Sequence, residues 1–335
     1  MSTPLWQPSQ QEIDKTLLTH FSKKIQQKYK LPNIEYSTLH KWSIEFPELF
    51  WEEVWRDCEV RCSVPWNKVM SKTGFSEKIG TEPSGWFTGA RLNFAENLLA
   101  QGKAENEALC FIGEDASTRS LSYAELRKAV EQCASGMKTL GVRANDRVAA
   151  VLPNCPEAVI GMLAAASLGA IWSSCSPDFG INGIYDRLGQ ISPKILITVN
   201  AYNYNGKEHQ CLDKIREISQ RIPSIEAVFV VAFTETPLEM QGKEQSWEDL
   251  LDTSAGPLTF AQLPFDHPLY ILYSSGTTGL PKSIVHGAGG TLLKHLTEHR
   301  YHADVQPGDR LFYFTTCGWM MWNWLASGLA SGATL

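Results

Sequence analysis

The sequence predicts an α/β protein in which parallel βαβ layers follow a helical N-terminal segment. From about residue 108, short apolar runs alternate with helix patterns that carry capping residues. Strands that alternate with helices are typical of parallel βαβ units with helices on both faces of the sheet. Residues 1–100 differ, because they hold six of the eleven tryptophans and little strand pattern. We therefore divide the chain at about residue 100.

The N-terminal segment is predicted to be helical. Apolar residues recur with helical spacing over residues 16–29 and 47–58, which predicts two amphipathic helices. A third, shorter helix is expected at the end of residues 86–99. The aromatic stripe of the second helix is expected to be core, since such stripes are buried far more often than they bind ligands.

The α/β region begins with a predicted strand, and its helices carry clear start and stop signals. Ser122 with Glu125 forms a capping box, Gly141 ends that helix, and Pro156 suits the first turn of the next helix. Residues 238–268 are polar and interrupted by prolines, which predicts a connection that leads to the strand at 269–273. The predicted strands are 108–112, 147–152, 171–175, 195–199, 227–233, 269–273 and 310–316. The predicted helices are 122–140, 156–168, 180–190, 210–221, 291–302 and 320–330, and 332–335 looks like the start of another strand.

Composition excludes several classes of protein. The chain has 335 residues, 43% of them hydrophobic, and a net charge of −6, which is typical of a soluble globular protein and argues against a nucleic-acid partner. The eight cysteines are scattered and form no zinc set. Neither a signal peptide nor a bilayer-length apolar run is present, so we expect a cytoplasmic protein without a membrane partner. The oligomeric state is not predicted.

The most informative stretch is residues 273–282, with the sequence YSSGTTGLPK. Glycines allow positive φ and let backbone N–H groups approach a ligand. Hydroxyls donate to phosphate oxygens, and a lysine adds a compact positive charge. The stretch therefore predicts a loop that binds a phosphate chain. Its candidate contacts are Ser274, Ser275, Gly276, Thr277, Thr278, Gly279, Pro281 and Lys282.

This stretch has two alternative interpretations, a polar hairpin and the P-loop of nucleoside triphosphatases. An ordinary polar hairpin is possible, because Ile284 and Val285 could form its second strand. The P-loop pattern of nucleoside triphosphatases does not fit, because two residues separate Gly279 from Lys282. We favour the phosphate loop, since a simple turn gains nothing from so many donors.

The region around this stretch resembles a known superfamily. Residues 270–293 (YILYSSGTTGLPKSIVHGAGGTLL) and 307–335 (PGDRLFYFTTCGWMMWNWLASGLASGATL) resemble the adenylate-forming enzymes, which include acyl-CoA synthetases, luciferases and peptide-synthetase adenylation domains. Within them the chain is most similar to the acetoacetyl-CoA synthetases, and acetyl-CoA synthetases are the nearest group with another substrate. Ser283 stands where many members carry glycine. Residues 1–100 resemble the N-terminal cap of such ligases, and 101–335 their AMP-binding large domain.

The resemblance implies an acid–thiol ligase. ATP, Mg²⁺, acetoacetate and CoA would give acetoacetyl-CoA, AMP and diphosphate through an acyl-adenylate, with the loop on the ATP phosphates. It further implies CoA contacts at Lys207, Thr315 and Thr316. Walls of the acyl pocket would be Trp319, Met320 and Trp322, whereas Phe312 and Phe314 are expected to fill the core.

The same resemblance raises the question of completeness. Family members continue for several hundred residues, with the adenine and ribose contacts, a hinge, and a C-terminal domain that carries the adenylation lysine. We therefore expect the chain to be an N-terminal portion that is inactive alone, with no certain catalytic residue. A short-chain acyl-CoA synthetase similar to acetyl-CoA synthetase is one alternative. A non-catalytic fragment that binds nucleotide weakly is another.

One motif points to a metal. Residues 295–299, HLTEH, match the H-x-x-E-H pattern of inverted zinc peptidases, and the two histidines would share a helix face. No acidic third ligand is evident nearby, and five residues match easily by chance. We therefore predict no metal site.

Overall fold

The computed structural model describes residues 5–71, 85–274 and 279–335. Four helices open the chain, and two of them confirm the predicted amphipathic helices. Thr16 caps the second helix by accepting from the Thr19 N–H, and Pro47 starts the fourth, as proline at a first helical turn does. The bounds are α1 (Gln10–Lys15), α2 (Leu17–Tyr29), α3 (Tyr36–Glu45) and α4 (Pro47–Asp57).

The rest of the chain is mixed. Its first part contains β1 (Lys68–Met70), β2 (Trp86–Thr88), β3 (Arg91–Leu92), α5 (Phe94–Ala100), β4 (Glu107–Ile112), β5 (Thr118–Ser122), α6 (Tyr123–Thr139), β6 (Arg147–Val151), α7 (Pro156–Leu168), β7 (Ile171–Cys175) and α8 (Ile181–Leu188). Then follow β8 (Ile195–Val199), β9 (Ala201–Tyr204), β10 (Lys207–Gln210), α9 (Leu212–Arg221), β11 (Ala227–Val231), β12 (Glu244–Ser246), α10 (Trp247–Leu250), β13 (Leu263–Pro264), β14 (Pro268–Ser274) and β15 (Lys282–Gly287). The last elements are α11 (Ala288–Thr297), a π-helical turn (Glu298–His302), α12 (Met320–Ala326) and a 3₁₀ helix (Ser327–Ser331).

A seven-stranded sheet in the order β12-β11-β8-β6-β7-β14-β15 forms the centre. Its strands are parallel except for β15, which pairs antiparallel with β14. The predicted α/β fold with parallel layers is confirmed. Loops after β6, β7, β8 and β14 therefore meet at one carboxyl edge, where open α/β sheets bind their ligands.

Helices cover both faces of this sheet. On one face α7 is buried along nearly its whole length, and its apolar core continues into the N-terminal helices. On the other face Ile184 of α8 and Ile215 and Ile218 of α9 are fully buried against the strands. The N-terminal helices share the main core directly, because Phe21 stacks on Tyr301 with ring centroids 4.5 Å apart.

One sequence-based expectation is wrong, and the structure adds detail to two others. The connection over residues 238–268 contains a short strand and a short helix, because β12 pairs parallel with β11 and α10 follows it. The predicted strand at 108–112 is confirmed, and β4 pairs with β5 outside the large sheet. Residues 310–316 form no strand: in the described chain only Arg310 makes a bridge, parallel to Thr334. A strand needs a hydrogen-bonded neighbour, and in the described chain this segment has one only at Arg310 and Leu311.

The described part of the chain contains no helix that is both long and apolar enough to pass through a bilayer.

Candidate functional site

The predicted phosphate loop lies at the tip of the β14–β15 hairpin, at the carboxyl edge of the sheet. Ser274 ends β14 opposite Lys282, which begins β15. Gly279 has a φ of +103° with open space around it, so glycine is required there by backbone conformation rather than by crowding. Four candidate residues lie outside the described residues: Ser275, Gly276, Thr277 and Thr278.

The hairpin of the alternative interpretation, formed by β14 and β15, is therefore present. Ile284 and Val285 do lie on its second strand, paired with Leu272 and Ile271. A hairpin does not exclude a phosphate loop, because the polar residues are confined to the connection while the two strands hold it. The hairpin describes the backbone of these residues, and the phosphate loop describes the function predicted for them.

The hairpin is anchored on both sides. On β14, the Tyr273 hydroxyl lies 3.1 Å from Ser173 Oγ, and Ser173 donates to the Ile271 carbonyl at 2.9 Å. Burial raises the pKa of Tyr273, so the phenol stays protonated. On β15, Gln190 donates to the Pro281 carbonyl at 2.9 Å, and Ser283 donates to Gln190 Oε1 at 3.2 Å.

Lys282 is the cation of the loop. Its side chain is exposed, and it makes no hydrogen bond or ion pair with another residue of the described ranges. An ammonium that is not committed to a protein carboxylate is available to a phosphate oxygen. Ser274, Pro281 and Lys282 thus lie together at the hairpin tip.

Residues 315–320 cross the same edge next to the hairpin. Ser174 of β7 donates to the Cys317 carbonyl at 2.7 Å, and Cys317 Sγ lies 3.2 Å from the Pro153 carbonyl after β6. A Cβ on Gly318 would lie 3.3 Å from the Ser176 nitrogen, so the backbone passes close to the β7 end. Since β7 is the direct neighbour of β14, this segment borders the candidate phosphate loop.

The predicted CoA and acyl residues are only partly brought together by this crossing. Thr315 and Thr316 are half-buried in it, and Thr316 Oγ1 is a buried atom without a hydrogen-bond partner in the described chain. Trp319 and Met320 follow and are 64% and 46% exposed. Trp322 is instead 1% exposed and donates to Asn154 Oδ1 at 2.9 Å.

Phe312 and Phe314 were expected in the core, and that expectation is wrong. They are 79% and 91% exposed. The reason is that the segment lacks a strand partner along most of its length, so no neighbouring chain covers these rings.

Lys207 lies farther along the edge. It begins β10 after the Asn205–Gly206 turn, in which both residues have positive φ, and the Asn205 N–H donates to Glu114 Oε1 at 2.8 Å. This hairpin follows β8, which is three strands from β14, or about 14 Å at the usual spacing. Lys207 and Lys282 therefore lie at different places along the carboxyl edge.

Sequence reasoning missed Gln190, Ser173 and Ser174, which hold the loop and the crossing segment. The serines could have been noticed, because two hydroxyls inside a fully buried strand need partners. Gln190 gave no signal, since its contact with Pro281 spans 91 residues of sequence.

The histidine pair of the metal motif is buried in the core rather than at this edge. His295 Nδ1 lies 2.8 Å from Ser327 Oγ, and the two ring centroids are 6.3 Å apart. Burial lowers the pKa of His295 to about 3 and that of His299 to about 4. Within the described ranges no three potential ligands cluster for a metal ion.

Comparisons with known proteins agree with this architecture. Residues 98–335 match the family model described as AMP-binding enzyme, and residues 36–98 match that of the acetyl-coenzyme A synthetase N-terminus. The chain belongs to the AMP-binding enzyme family.

Individual relatives are more specific. An acetoacetyl-coenzyme A synthetase from Rhizobium meliloti is 44% identical in an alignment 337 residues long that covers 99% of this chain and 50% of the relative. A malonamoyl-CoA synthetase from Penicillium aethiopicum is 45% identical in an alignment 336 residues long that covers 96% of this chain and 46% of the relative. The solved acetoacetyl-CoA synthetase from Streptomyces lividans superposes with a TM-score of 0.91 at 40% identity, covering 99% of this chain and 50% of that one. The chain spans about half the length of the curated relatives it matches.

Proposed function

We propose that this chain supplies the ATP-phosphate-binding part of an acetoacetate–CoA ligase. The supporting observation is the identity of 44% with an acetoacetyl-coenzyme A synthetase across nearly the whole chain. The whole reaction would join acetoacetate to CoA through an acyl-adenylate, with release of diphosphate and AMP. We propose residues 1–100 as a structural cap and 101–335 as part of the AMP-binding domain, a division supported by family models that meet at residue 98.

In this proposal the hairpin tip grips the β- and γ-phosphates of Mg²⁺-bound ATP. Lys282 neutralises charge on the departing diphosphate, and hydroxyl and backbone donors fix the chain so that the α-phosphorus faces the carboxylate. Such catalysis is mostly positioning and charge stabilisation. Gln190 and Ser173 position the hairpin without touching the nucleotide.

The acid that we propose carries a carbonyl on its third carbon. Acetoacetate and malonamate share this group, and the names of the relatives that match this chain include both acids. Trp319 and Met320 are exposed beside the phosphate loop and are the proposed walls of the acyl pocket. Thr315 and Thr316 in the same segment, and Lys207 along the edge, are the proposed CoA contacts. A cytoplasmic location is likewise proposed.

Titration calorimetry with Mg-ATP tests the nucleotide site. We expect saturable binding by the purified chain, weakened at least tenfold by Lys282→Ala, since one charge-assisted hydrogen bond is worth about 1.5–3 kcal/mol. Lys41→Ala is the matched control, because Lys41 only pairs with Glu45 on α3. Equal affinity of the two variants would contradict the assignment of Lys282. No binding by the native chain would contradict the proposed nucleotide site.

The acid is tested separately. Saturation-transfer NMR in the presence of Mg-ATP should show contact with the acetoacetate methyl group and less with acetate. Equal transfer to both acids would favour a short-chain acyl-CoA synthetase. Pyrophosphate exchange by residues 1–335 is expected to stay at the blank level, and clear exchange with acetoacetate would show that this portion is active alone.

A further inference from the structure

Arg187 on α8 is a half-buried cation at the carboxyl edge of the sheet. The helix follows the carboxyl end of β7, and side chains on a helix lean toward its N-terminus, so the guanidinium points back to this edge. Arg187 Nη1 donates to the Gly183 carbonyl, one turn earlier, at 2.7 Å. The guanidinium carbon lies 4.5 Å from the ring centroid of Phe179, in the loop before α8. Both contacts hold the charged group near the start of the helix.

This position borders the candidate phosphate loop. A Cβ on Gly318 would lie 3.5 Å from the Phe179 ring, so the ring under the guanidinium packs against residues 315–320. Tyr273, near the end of β14, packs on the same apolar cluster as Phe179. Burial raises the pKa of Tyr273 and of Cys175, and the Arg187 charge opposes both increases in part. The guanidinium therefore lies beside the ends of β7 and β14, where the loop begins.

The charge of this guanidinium is not compensated by the protein. Arg187 forms no ion pair within the described chain, and Asp178, in the loop before α8, accepts from Ser176 Oγ at 2.6 Å instead. On the next helix, by contrast, Arg216 and Arg221 each pair with a carboxylate. A half-buried charge without a counter-ion costs free energy. A guanidinium also has five N–H donors, so most of them remain for an anionic ligand.

We propose that Arg187 is a second cation of the phosphate site. It binds the terminal phosphates of ATP from the side of α8, while Lys282 binds them from β15. A planar guanidinium can hold two phosphate oxygens at once, whereas an ammonium acts as a point charge. When the carboxylate attacks the α-phosphorus, the bond to the bridging oxygen breaks and its electron pair stays on diphosphate. A guanidinium at this place stabilises the charge that develops there.

The inference rests on the proposed function, and it commits to ATP rather than CoA. Both ligands carry a phosphoanhydride, which is the group that a guanidinium recognises. Tyr273, beside Arg187, leads directly into the phosphate loop. Lys207, the proposed CoA contact, follows β8, which is two strands from β7. The position of the guanidinium therefore favours the phosphates of ATP.

Titration calorimetry of the purified chain with magnesium diphosphate tests this role. Arg187→Met keeps an apolar stem on Phe179 and removes the charge, and it should weaken binding by about tenfold or more, as expected for a lost charge-assisted hydrogen bond. Arg221→Met is the matched control. Arg221 also lies over a ring, 3.9 Å from the centroid of Tyr185, but is paired with Glu217 on α9. This control should bind diphosphate as the native chain does, with both variants folded in urea titrations.

The outcomes separate this inference from the proposed function. If Arg187→Met bound diphosphate as tightly as the native chain while Lys282→Ala bound it more weakly, the role of Arg187 would be refuted and the loop would stand. No diphosphate binding by the native chain would refute both. If Arg187→Met lost affinity for CoA but not for diphosphate, the guanidinium would serve CoA, and our choice of ligand would be wrong.

Labelling of the native chain with phenylglyoxal gives a test that needs no variant. This reagent modifies accessible guanidinium groups, and peptide mass mapping locates each label. Magnesium diphosphate at about ten times its Kd should slow labelling of Arg187 about tenfold, because only about a tenth of the sites remain free. Labelling of Arg221 should not change. An equal rate at Arg187 with and without diphosphate would contradict the proposal.

Discussion

Replacing His299 with leucine should make the stability of the protein less sensitive to acid. His299 is fully buried on the π-helical turn, with its ring centroid 4.4 Å from that of Trp324. Neither ring nitrogen has a partner in hydrogen-bond geometry within the described chain. Burial lowers the pKa of His299 to about 4, and the Glu298 carboxylate and the Trp324 backbone oppose this shift only in part.

The sign and size of the effect follow from proton linkage. A histidine with a lowered folded-state pKa stabilises the fold fully above its unfolded pKa of about 6.5, and that stability is lost as the pH falls toward 4. Between pH 7.5 and pH 5 the loss is about 2 kcal/mol for His299. His295, whose pKa is about 3 for the same reason with His299, His286 and Lys294 nearby, adds about as much.

Urea unfolding of the native protein and of His299→Leu, each at pH 7.5 and at pH 5, measures this pH-dependent change in the free energy of unfolding. At pH 7.5 the variant should be as stable as the native protein or slightly more so, because leucine fills the site and no hydrogen bond is lost. At pH 5 it should be about 2 kcal/mol more stable. His295→Leu should also flatten the pH dependence but cost about 1 kcal/mol at pH 7.5, because it loses the contact with Ser327. His40→Leu, on exposed α3, is the surface control. If the stability of His299→Leu fell between pH 7.5 and pH 5 as much as that of the native protein, the acid sensitivity would not come from a neutral, buried His299.

Two further changes test packing and the loop anchor. Gly136→Ala should destabilise the protein by about 2–3 kcal/mol in urea unfolding, because the new Cβ would lie 1.7 Å from the Leu250 carbonyl oxygen. Gly183→Ala in α8 is the control: its Cβ would make only ordinary contacts, so this variant should be as stable as the native protein or more stable. Gln190→Ala should leave the melting temperature nearly unchanged and raise the Kd for Mg-ATP about threefold to tenfold, since the Pro281 carbonyl loses its donor; an unchanged Kd in calorimetry would show that this anchor does not position the loop.

The layers of the fold could be predicted because their signals are local. Pro156 begins α7, and Gly169, with a φ of +76°, ends it, so proline and glycine marked both ends of a helix that has no amphipathic face. The capping box of Ser122 and Glu125 is present as predicted. Such signals depend on a few neighbouring residues, and the tertiary contacts of this fold are compatible with them.

The candidate site was harder to predict, because residues far apart in sequence hold it. The hydroxyls and glycines of the loop predict a phosphate site from their composition alone, and Lys282 is proposed as its cation on the same basis. The supports of the loop were not predicted, since Ser173 acts through Tyr273 a hundred residues later and Gln190 through Pro281. Only the order of the strands brings these residues together.

Residues 310–316 show most clearly what a sequence pattern cannot predict. Their run of apolar, aromatic and β-branched residues is a sound strand pattern, yet the pattern shows that a segment can pair and does not show whether a neighbour is present. Phe312 and Phe314 are expected in the core because aromatic and sulfur side chains are dense in this stretch, and they are exposed because no neighbouring chain covers them.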